Sequence, residues 1–275
     1  MPASLRPLTT GQLLDRTFQT YRQNFVLFVG ISAFPITCML VLQIAILMVT
    51  RNLERSPIIA GLITLGLALA MMVVNIVATA ISTGATTFGV SDINLDKPTS
   101  ISACFSRVRG RIGSIAYASF GFGLIVGLGL ILLIAPGVYW AGKYGLAVPS
   151  VVLENLTGSQ SFDRSAQLTK NSIGRIVVIY FLTLILTLSV SLGVGMLVTA
   201  TAPNLAKSAG TLTAAIFNQV VSSIISVLIL PIMSIALTLA YYDQRVRKEA
   251  FDIENLMNLL GEPKPAAAQA AGASS

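Results

Sequence analysis

The chain has 275 residues, of which 54% are hydrophobic and 11% charged, and its formal net charge is +7. Soluble proteins carry about 25% charged residues, so this composition excludes an ordinary soluble domain and indicates an integral membrane protein. The chain contains no histidine, the commonest general base and metal ligand. Its basic residues lie in short clusters between apolar runs, which favours membrane topology over nucleic-acid binding. We expect no enzyme activity, no cofactor, no metal and no nucleic-acid partner.

The first predicted element is a helix from Thr9 to Phe25 that begins with Thr-x-x-Gln, a capping-box pattern. Nearly the same stretch returns at residues 157–173. We interpret both copies as amphipathic helices that lie on the membrane surface, each followed by a transmembrane helix. Seven positions are in register: Thr9, Gln12, Asp15, Arg16, Thr17, Gln19 and Arg22 against Thr157, Gln160, Asp163, Arg164, Ser165, Gln167 and Lys170. The apolar faces are Leu14, Phe18, Tyr21 and Phe25 in one copy and Phe162, Ala166, Thr169 and Ile173 in the other.

Transmembrane spans follow from apolar run length, because a bilayer core of about 30 Å needs roughly 20 apolar residues. The six predicted spans are residues 25–49, 58–81, 113–135, 138–153, 176–200 and 214–242. The predicted fold is therefore an all-α polytopic membrane domain over residues 1–260. Its six transmembrane helices form three hairpins, each preceded by a cytoplasmic amphipathic helix. Residues 261–275 are too polar and small to bury a core and predict a disordered tail.

The longest predicted connection runs from Ser82 to Arg111. It contains a weaker third copy of the repeat, in which Ile101, Phe105, Val108 and Ile112 follow the spacing of Leu14, Phe18, Tyr21 and Phe25. A second connection, Pro203 to Thr213, predicts an outer loop. The two cysteines, Cys38 and Cys104, lack CxxC spacing and are expected to be free thiols.

The fourth span, 138–153, is the least certain from hydropathy, because it is short and contains Lys143. The Pro136-Gly137 pair should break the preceding helix. Gly137, Ala141 and Gly145 recur every four residues, which predicts close packing against the glycines of the third span, Gly123-x-x-x-Gly127 with Gly121 and Gly129.

Asn75 and Lys143 are the candidate intramembrane polar residues. An interhelical hydrogen bond explains Asn75, and snorkelling of the long side chain explains Lys143. The alternative is a transport role, since ionisable and polar groups inside a membrane often mark a substrate or ion pathway.

The distribution of Lys and Arg gives the orientation. In the six-span arrangement 14 of the 18 Lys and Arg residues lie on one side, which by the positive-inside rule is the cytoplasmic side and holds both termini. The other side holds Arg51, Arg55 and Lys207, and Lys143 lies in the bilayer.

Five basic residues of the repeat are candidate contacts for anionic lipid headgroups: Arg16, Arg22, Arg164, Lys170 and Arg175. A negatively charged leaflet attracts such side chains by about 1 kcal/mol each. The alternative is that they fix topology and pair with acids such as Glu154 and Asp243. Pairing of this kind is also the favoured role of the interface acids, ahead of catalysis.

Several segments together resemble a known family. They are Leu8 to Phe25, Pro136-Gly-Val-Tyr139, Val152-Leu-Glu154, Arg164-Ser165 with Leu168-Thr-Lys170, and Tyr241 to Glu249. This set resembles the bacterial membrane domain that is fused to some glycerophosphodiester phosphodiesterases, over nearly the whole chain up to about Leu260. The resemblance implies that, in the fused members, hydrolysis belongs to a separate metal-dependent barrel domain that uses histidines and acids. The membrane domain brings no catalytic residues of its own.

Two functions remain open from the sequence. The first is a non-enzymatic module of the bacterial inner membrane that interacts with lipids, with a protein partner or with further copies of itself. The alternative is a transporter or lipid translocator built from repeated hairpins, motivated by Lys143, Asn75 and the Pro136 break.

Cysteine labelling tests the predicted topology. Single-cysteine variants at Asn52, Pro136 and Asn204 should react with a membrane-impermeant reagent from outside, whereas one at Gly158 should not. Protection at Asn204 together with outside access at Gly158 would contradict the six-span arrangement.

Overall fold

The computed structural model describes residues 8–51 and 57–259, and this part of the chain is helical without any strand. The predicted tail at 261–275 lies outside the described residues. The helices are α1 (Thr10–Gln23), α2 (Phe25–Arg51), α3 (Pro57–Asn94), α4 (Ile101–Arg109), α5 (Ile112–Leu132), α6 (Ile134–Tyr144), α7 (Ala147–Glu154), α8 (Gly158–Thr169), α9 (Ile173–Ala209) and α10 (Thr211–Leu259).

Five helices in the described ranges are long and apolar enough to cross a membrane: α2, α3, α5, α9 and α10. They coincide with five of the six predicted spans, so the chain is a multi-pass helical membrane protein. The sixth predicted span, 138–153, is divided between α6 and α7, and neither piece alone meets the length of a span. The arrangement as six spans in three hairpins stays a prediction.

The turn between α5 and α6 lies at Leu133, whose backbone is extended (φ −160°, ψ 142°). The expected break at Pro136 is wrong: Pro136 lies in the first turn of α6, where a missing N–H costs nothing. Close packing of the two helices rests on Gly129 and Gly137, because a Cβ on Gly129 would lie 2.7 Å from the Gly137 Cα. The expected contact is therefore made by one of the predicted glycines, Gly129, whereas a Cβ on Gly123 or Gly127 would meet no described atom within 4 Å.

Side chains of the later helices α8 and α9 form hydrogen bonds with the backbone between α6 and α7. The Leu146 N–H donates to Ser165 Oγ (3.1 Å), and the Gly145 carbonyl accepts from the Tyr180 hydroxyl (3.3 Å). The Lys143 carbonyl accepts from Ser165 Oγ (2.9 Å) and Thr169 Oγ1 (3.0 Å). The two pieces together bring the chain back to the start of α5, where Arg111 donates to the Val152 carbonyl (2.8 Å).

The predicted connection from Ser82 to Arg111 is wrong in its first half, because α3 continues without interruption to Asn94. This half is rich in Ser and Thr, which lowers its hydropathy. The hydroxyls bond inside the helix, however: Thr86 Oγ1 donates to the Ser82 carbonyl and Thr87 Oγ1 to the Thr83 carbonyl, both at 2.8 Å. Because these hydroxyls bond to carbonyls of their own helix, the polar stretch can pack as a buried helix.

The predicted outer loop from Pro203 to Thr213 is also mostly helical. α9 runs to Ala209 and α10 begins at Thr211. The single residue between them, Gly210, has φ +89°, a conformation in which glycine avoids the strain of a side chain.

The repeat is visible as a common burial pattern. The predicted capping boxes are present at Thr9 and Thr157, and Ser100 caps α4 through the Ala103 N–H. In each copy the fourth and eighth residues after the cap are buried: Leu13 and Thr17, Cys104 and Val108, Ser161 and Ser165. Aligning on the caps moves the third copy by about one helical turn from the predicted register.

The face that packs differs from the predicted apolar stripe on α1. Leu13 and Thr17 are buried, and Tyr21 of the predicted stripe packs against the same core, whereas Phe18 is 44% exposed, as is Phe25 at the start of α2. Both cysteines are free, as predicted, with Cys38 exposed and Cys104 buried.

Asp243 on α10 ties the start of α1 to α9. Its carboxylate accepts the Leu8 N–H (2.7 Å) and contacts the guanidinium groups of Arg175 (2.7 Å) and Arg247 (2.9 Å). The Asp243 side chain is only 2% exposed, so the arginines supply the partners that a buried carboxylate requires.

Glu154, at the end of α7, ties the middle of the chain to the same helix. It accepts from Arg164 Nε (2.8 Å) and from the Tyr241 hydroxyl (2.5 Å), and Arg164 also contacts Glu249 (3.3 Å). Burial raises the pKa of Glu154, but the hydrogen bonds from Arg164 and Tyr241 and the nearby positive charges outweigh it and leave the pKa below its ordinary 4.5.

Gly129→Ala should lower the free energy of unfolding by about 1–3 kcal/mol, because the new methyl group meets the α6 backbone. Gly123→Ala is the matched control: it adds the same group to the same helix in open space and should be neutral or slightly stabilising. Unfolding of the purified protein in detergent measures both. Equal effects would mean that the α5–α6 contact does not limit stability.

Glu154→Gln should cost about 1–3 kcal/mol at pH 7, because it replaces a carboxylate that accepts charged hydrogen bonds. A lowered pKa means that this stabilisation is present above pH 4.5 and is lost as the pH falls through the lower folded value. The difference between wild type and variant should therefore shrink in acid. The exposed Asp163→Asn on α8 is the control. A pH-independent difference would contradict the ionised state of Glu154.

Candidate functional site

The five predicted headgroup contacts divide into bonded and exposed side chains. Arg16 donates to Asn94 Oδ1 (2.9 Å), and Arg164 and Arg175 are held by Glu154 and Asp243. Arg22 and Lys170 are exposed. The pairing of Arg164 and Arg175 is the one that the alternative interpretation expected, and whether any of the five contacts a lipid stays a prediction.

A basic groove, defined here by Lys97, Arg107 and Arg111, lies where α3, α4, α5 and α7 meet. Its volume is about 350 Å³. The remaining lining residues are Phe88, Ser91, Asp92, Leu95, Val152 and Leu153.

The groove is held together by interactions that leave positive charge facing its interior. Arg107 donates to both oxygens of Asp92 at 3.0 Å, while its side chain stays 43% exposed. Its guanidinium carbon lies 4.9 Å from the centre of the Phe88 ring, and that of Arg111 lies 5.7 Å from it. Lys97 is exposed at the rim.

Three cations against one carboxylate make this groove suited to an anion. A guanidinium has five N–H donors, so Arg107 and Arg111 keep donors beyond those used for Asp92 and Val152. Arg and Lys side chains bind phosphate and carboxylate oxygens through such donors. The 53% exposed Leu95 adds an apolar edge beside the charges.

A second cavity lies between α2, α3 and α10, inside the apolar part of the bundle. We call it the polar cavity; its volume is about 250 Å³. Its polar lining residues are uncharged: Gln43, Asn75, Thr79, Gln219, Ser222, Ser223 and Ser226. Ser226 precedes Asp243 by almost five turns of α10, so the cavity is about 25 Å from the ionic contacts.

The two predicted intramembrane residues do not form one site. Asn75 is on the wall of the polar cavity, whereas Lys143 lies on α6 beside α8, with its ammonium 5.1 Å from the Tyr144 ring centre. Lys143 therefore lies against neighbouring side chains, and of the two residues Asn75 lines the polar cavity.

Catalytic groups do not converge in the part of the chain that the structure describes. No group of three His, Cys, Asp or Glu side chains there is placed to hold a metal ion. The geometry supports binding of an anion in one place and of a neutral polar group in another.

Sequence reasoning missed most of both sites. It named Asn75 but neither Gln43 nor Gln219, although each is an amide inside an apolar run, the same signal that identified Asn75. The signal for the basic groove was weaker and consisted of the Arg-x-Arg-x-Arg spacing from Arg107 to Arg111. Lys97 is brought beside these arginines only when the chain folds.

Comparison with known proteins gives one family. Neither a curated protein nor a solved structure matches the chain. The family model for the membrane domain of glycerophosphoryl diester phosphodiesterase matches residues 115–269, more than half of the chain. The match covers α6 to α10 and most of α5, so the opening copy of the repeat lies outside it. No catalytic domain is part of the match. On this evidence the chain belongs to the glycerophosphoryl diester phosphodiesterase membrane-domain family.

Proposed function

We propose that the chain is a non-catalytic membrane module that binds the anionic headgroup of a membrane lipid in the basic groove. The observation that supports this is the meeting of Lys97, Arg107 and Arg111 around one carboxylate, Asp92. A volume of about 350 Å³ is within the usual range of roughly 300–1,000 Å³ for small-molecule sites.

The groove belongs to the end of the bundle that carries most of the positive charge. We place this end, with both termini, on the cytoplasmic side of the bacterial inner membrane, where positive residues accumulate and the leaflet is anionic. A phosphate there would meet the three cations, and Leu95 would lie beside the first acyl carbons.

The proposal assigns no hydrolysis to this chain. Asp92, the carboxylate that lines the groove, accepts from Arg107 through both oxygens, and Glu154 is bonded to Arg164 and Tyr241. A general acid or base needs access to the reacting group, which these contacts do not leave.

A second candidate function, transport or lipid translocation, is favoured by the polar cavity, since transporters bind polar substrates within the bilayer. Flux of a lipid or solute in proteoliposomes that Asn75→Leu abolishes would support it.

Lys97→Gln with Arg111→Gln should reduce retention of phosphatidylglycerol roughly 30-fold, the equivalent of about 1 kcal/mol per cation. Native mass spectrometry of the detergent-purified protein measures retention, with phosphatidylcholine as the uncharged comparison. The effect should weaken at high salt because exposed charges are screened.

The matched control is Arg22→Gln with Lys170→Gln, which removes the same charge from the exposed ends of α1 and α8. Retention lost in the control and kept in the groove variant would move the site to the surface helices. Retention unchanged in both would leave the cations a topological role only.

A further inference from the structure

The polar cavity adjoins an apolar groove that borders the same residues of α3. This apolar groove, between α3 and α5, has a volume of about 440 Å³. Asn75 and Thr79 line both spaces. A polar pocket and an apolar channel therefore share one wall in the membrane part of the bundle.

The chemistry of the polar cavity is neutral. Two of its amides bond to each other, because Gln219 Nε2 donates to Gln43 Oε1. The side chains of Asn75, which is exposed on the surface of the bundle, and of Ser223, which is partly buried, make no hydrogen bond with any residue that the structure describes. A polar group without a partner in hydrocarbon costs several kcal/mol, so these side chains favour a ligand that donates and accepts hydrogen bonds. No cation or carboxylate lines the cavity, which disfavours a charged ligand.

The apolar groove has the dimensions and walls of an acyl-chain site. Gly123 and Gly127 form its floor, and a Cβ on either would meet no described atom within 4 Å. Leu124, Leu128 and Ile131 continue along the same helix for about two turns. Ser119 Oγ is buried there without a partner in the described chain, at the level where the two spaces approach.

We propose that the two spaces together bind one neutral lipid with a hydroxyl-bearing headgroup, of the monoacylglycerol type. The headgroup occupies the polar cavity and bonds to Asn75 and Ser223, and the acyl chain lies in the apolar groove over Gly123 and Gly127. This site concerns binding alone. It is independent of the basic groove and of whether the chain moves the lipid.

The probe is a monoacylglycerol with a photoactivatable diazirine in its acyl chain, added to the purified full chain in detergent. Crosslinks mapped by mass spectrometry should fall on the walls of the apolar groove, at Phe120, Leu124 and Leu128. Unlabelled monoacylglycerol should compete. A fatty alcohol of equal chain length, lysophosphatidic acid and free glycerol should each compete about tenfold less well, since each lacks the neutral polyol or the chain.

Two variants separate headgroup from chain. Asn75→Leu removes the shared amide, and Gly123→Leu fills the apolar groove; each should reduce crosslinking about tenfold. The controls are Gln19→Leu, an exposed amide of α1 outside both linings, and Gly193→Leu, a glycine of α9 with no described atom within 4 Å of a Cβ. The controls should crosslink as the wild type does.

Three results would overturn the proposal. They are crosslinks spread evenly over the lipid-facing helices, equal competition by the fatty alcohol, and equal loss in the control variants. Better competition by lysophosphatidic acid would also reject it and assign the labelled site to charged lipids. Because the wild-type crosslink map and competition need no variant, the test holds even if one variant fails to fold.

Discussion

The carboxylate of Asp243 is the contact on which the rest of the charged layer depends. It is buried, and its partners are Arg175 from α9, Arg247 from α10 and the Leu8 N–H that precedes α1. Removing one partner would leave a buried charge without compensation, which is far more costly than losing a surface pair. Glu154 at the end of α7 is likewise bonded to α10 and α8, through Tyr241 and Arg164. The part of α10 from Tyr241 to Glu249 is thus the common attachment for α1, α7, α8 and α9.

The basic residues of this charged layer fall into two classes, bonded and exposed, which a count of charges cannot separate. Some, such as Arg164 and Arg175, are bonded to acids of the protein, and others, such as Lys97 and Arg22, face outward. Positive-inside asymmetry needs only that both classes stay on one side. Recognition of an external anion needs donors that the protein's own acids have not used, and in the basic groove Lys97, Arg107 and Arg111 bring such donors together beside a single carboxylate.

The parts of the fold that local chemistry determines could be predicted. Five spans followed from apolar length, and the helix starts at Thr9 and Thr157 followed from capping boxes. The stretch after Ser82 could not, because hydropathy counts a hydroxyl as polar even when it donates to its own helix. The sites needed contacts between distant residues: Gln43 and Gln219 meet across 176 positions, and no local pattern pairs them. Asn75 was found because a lone amide in an apolar run is visible without the fold.

The divided segment formed by α6 and α7 has a consequence for the order of assembly during synthesis. Its free backbone groups near Gly145 are bonded by Ser165, Thr169 and Tyr180, all of which leave the ribosome later. Backbone groups without partners are strongly disfavoured in lipid. The middle of the chain therefore cannot reach its final depth until α8 and the start of α9 have emerged and docked. The α6–α7 segment is therefore completed by residues that follow it in the chain, so the order of translation does not set the order in which it settles.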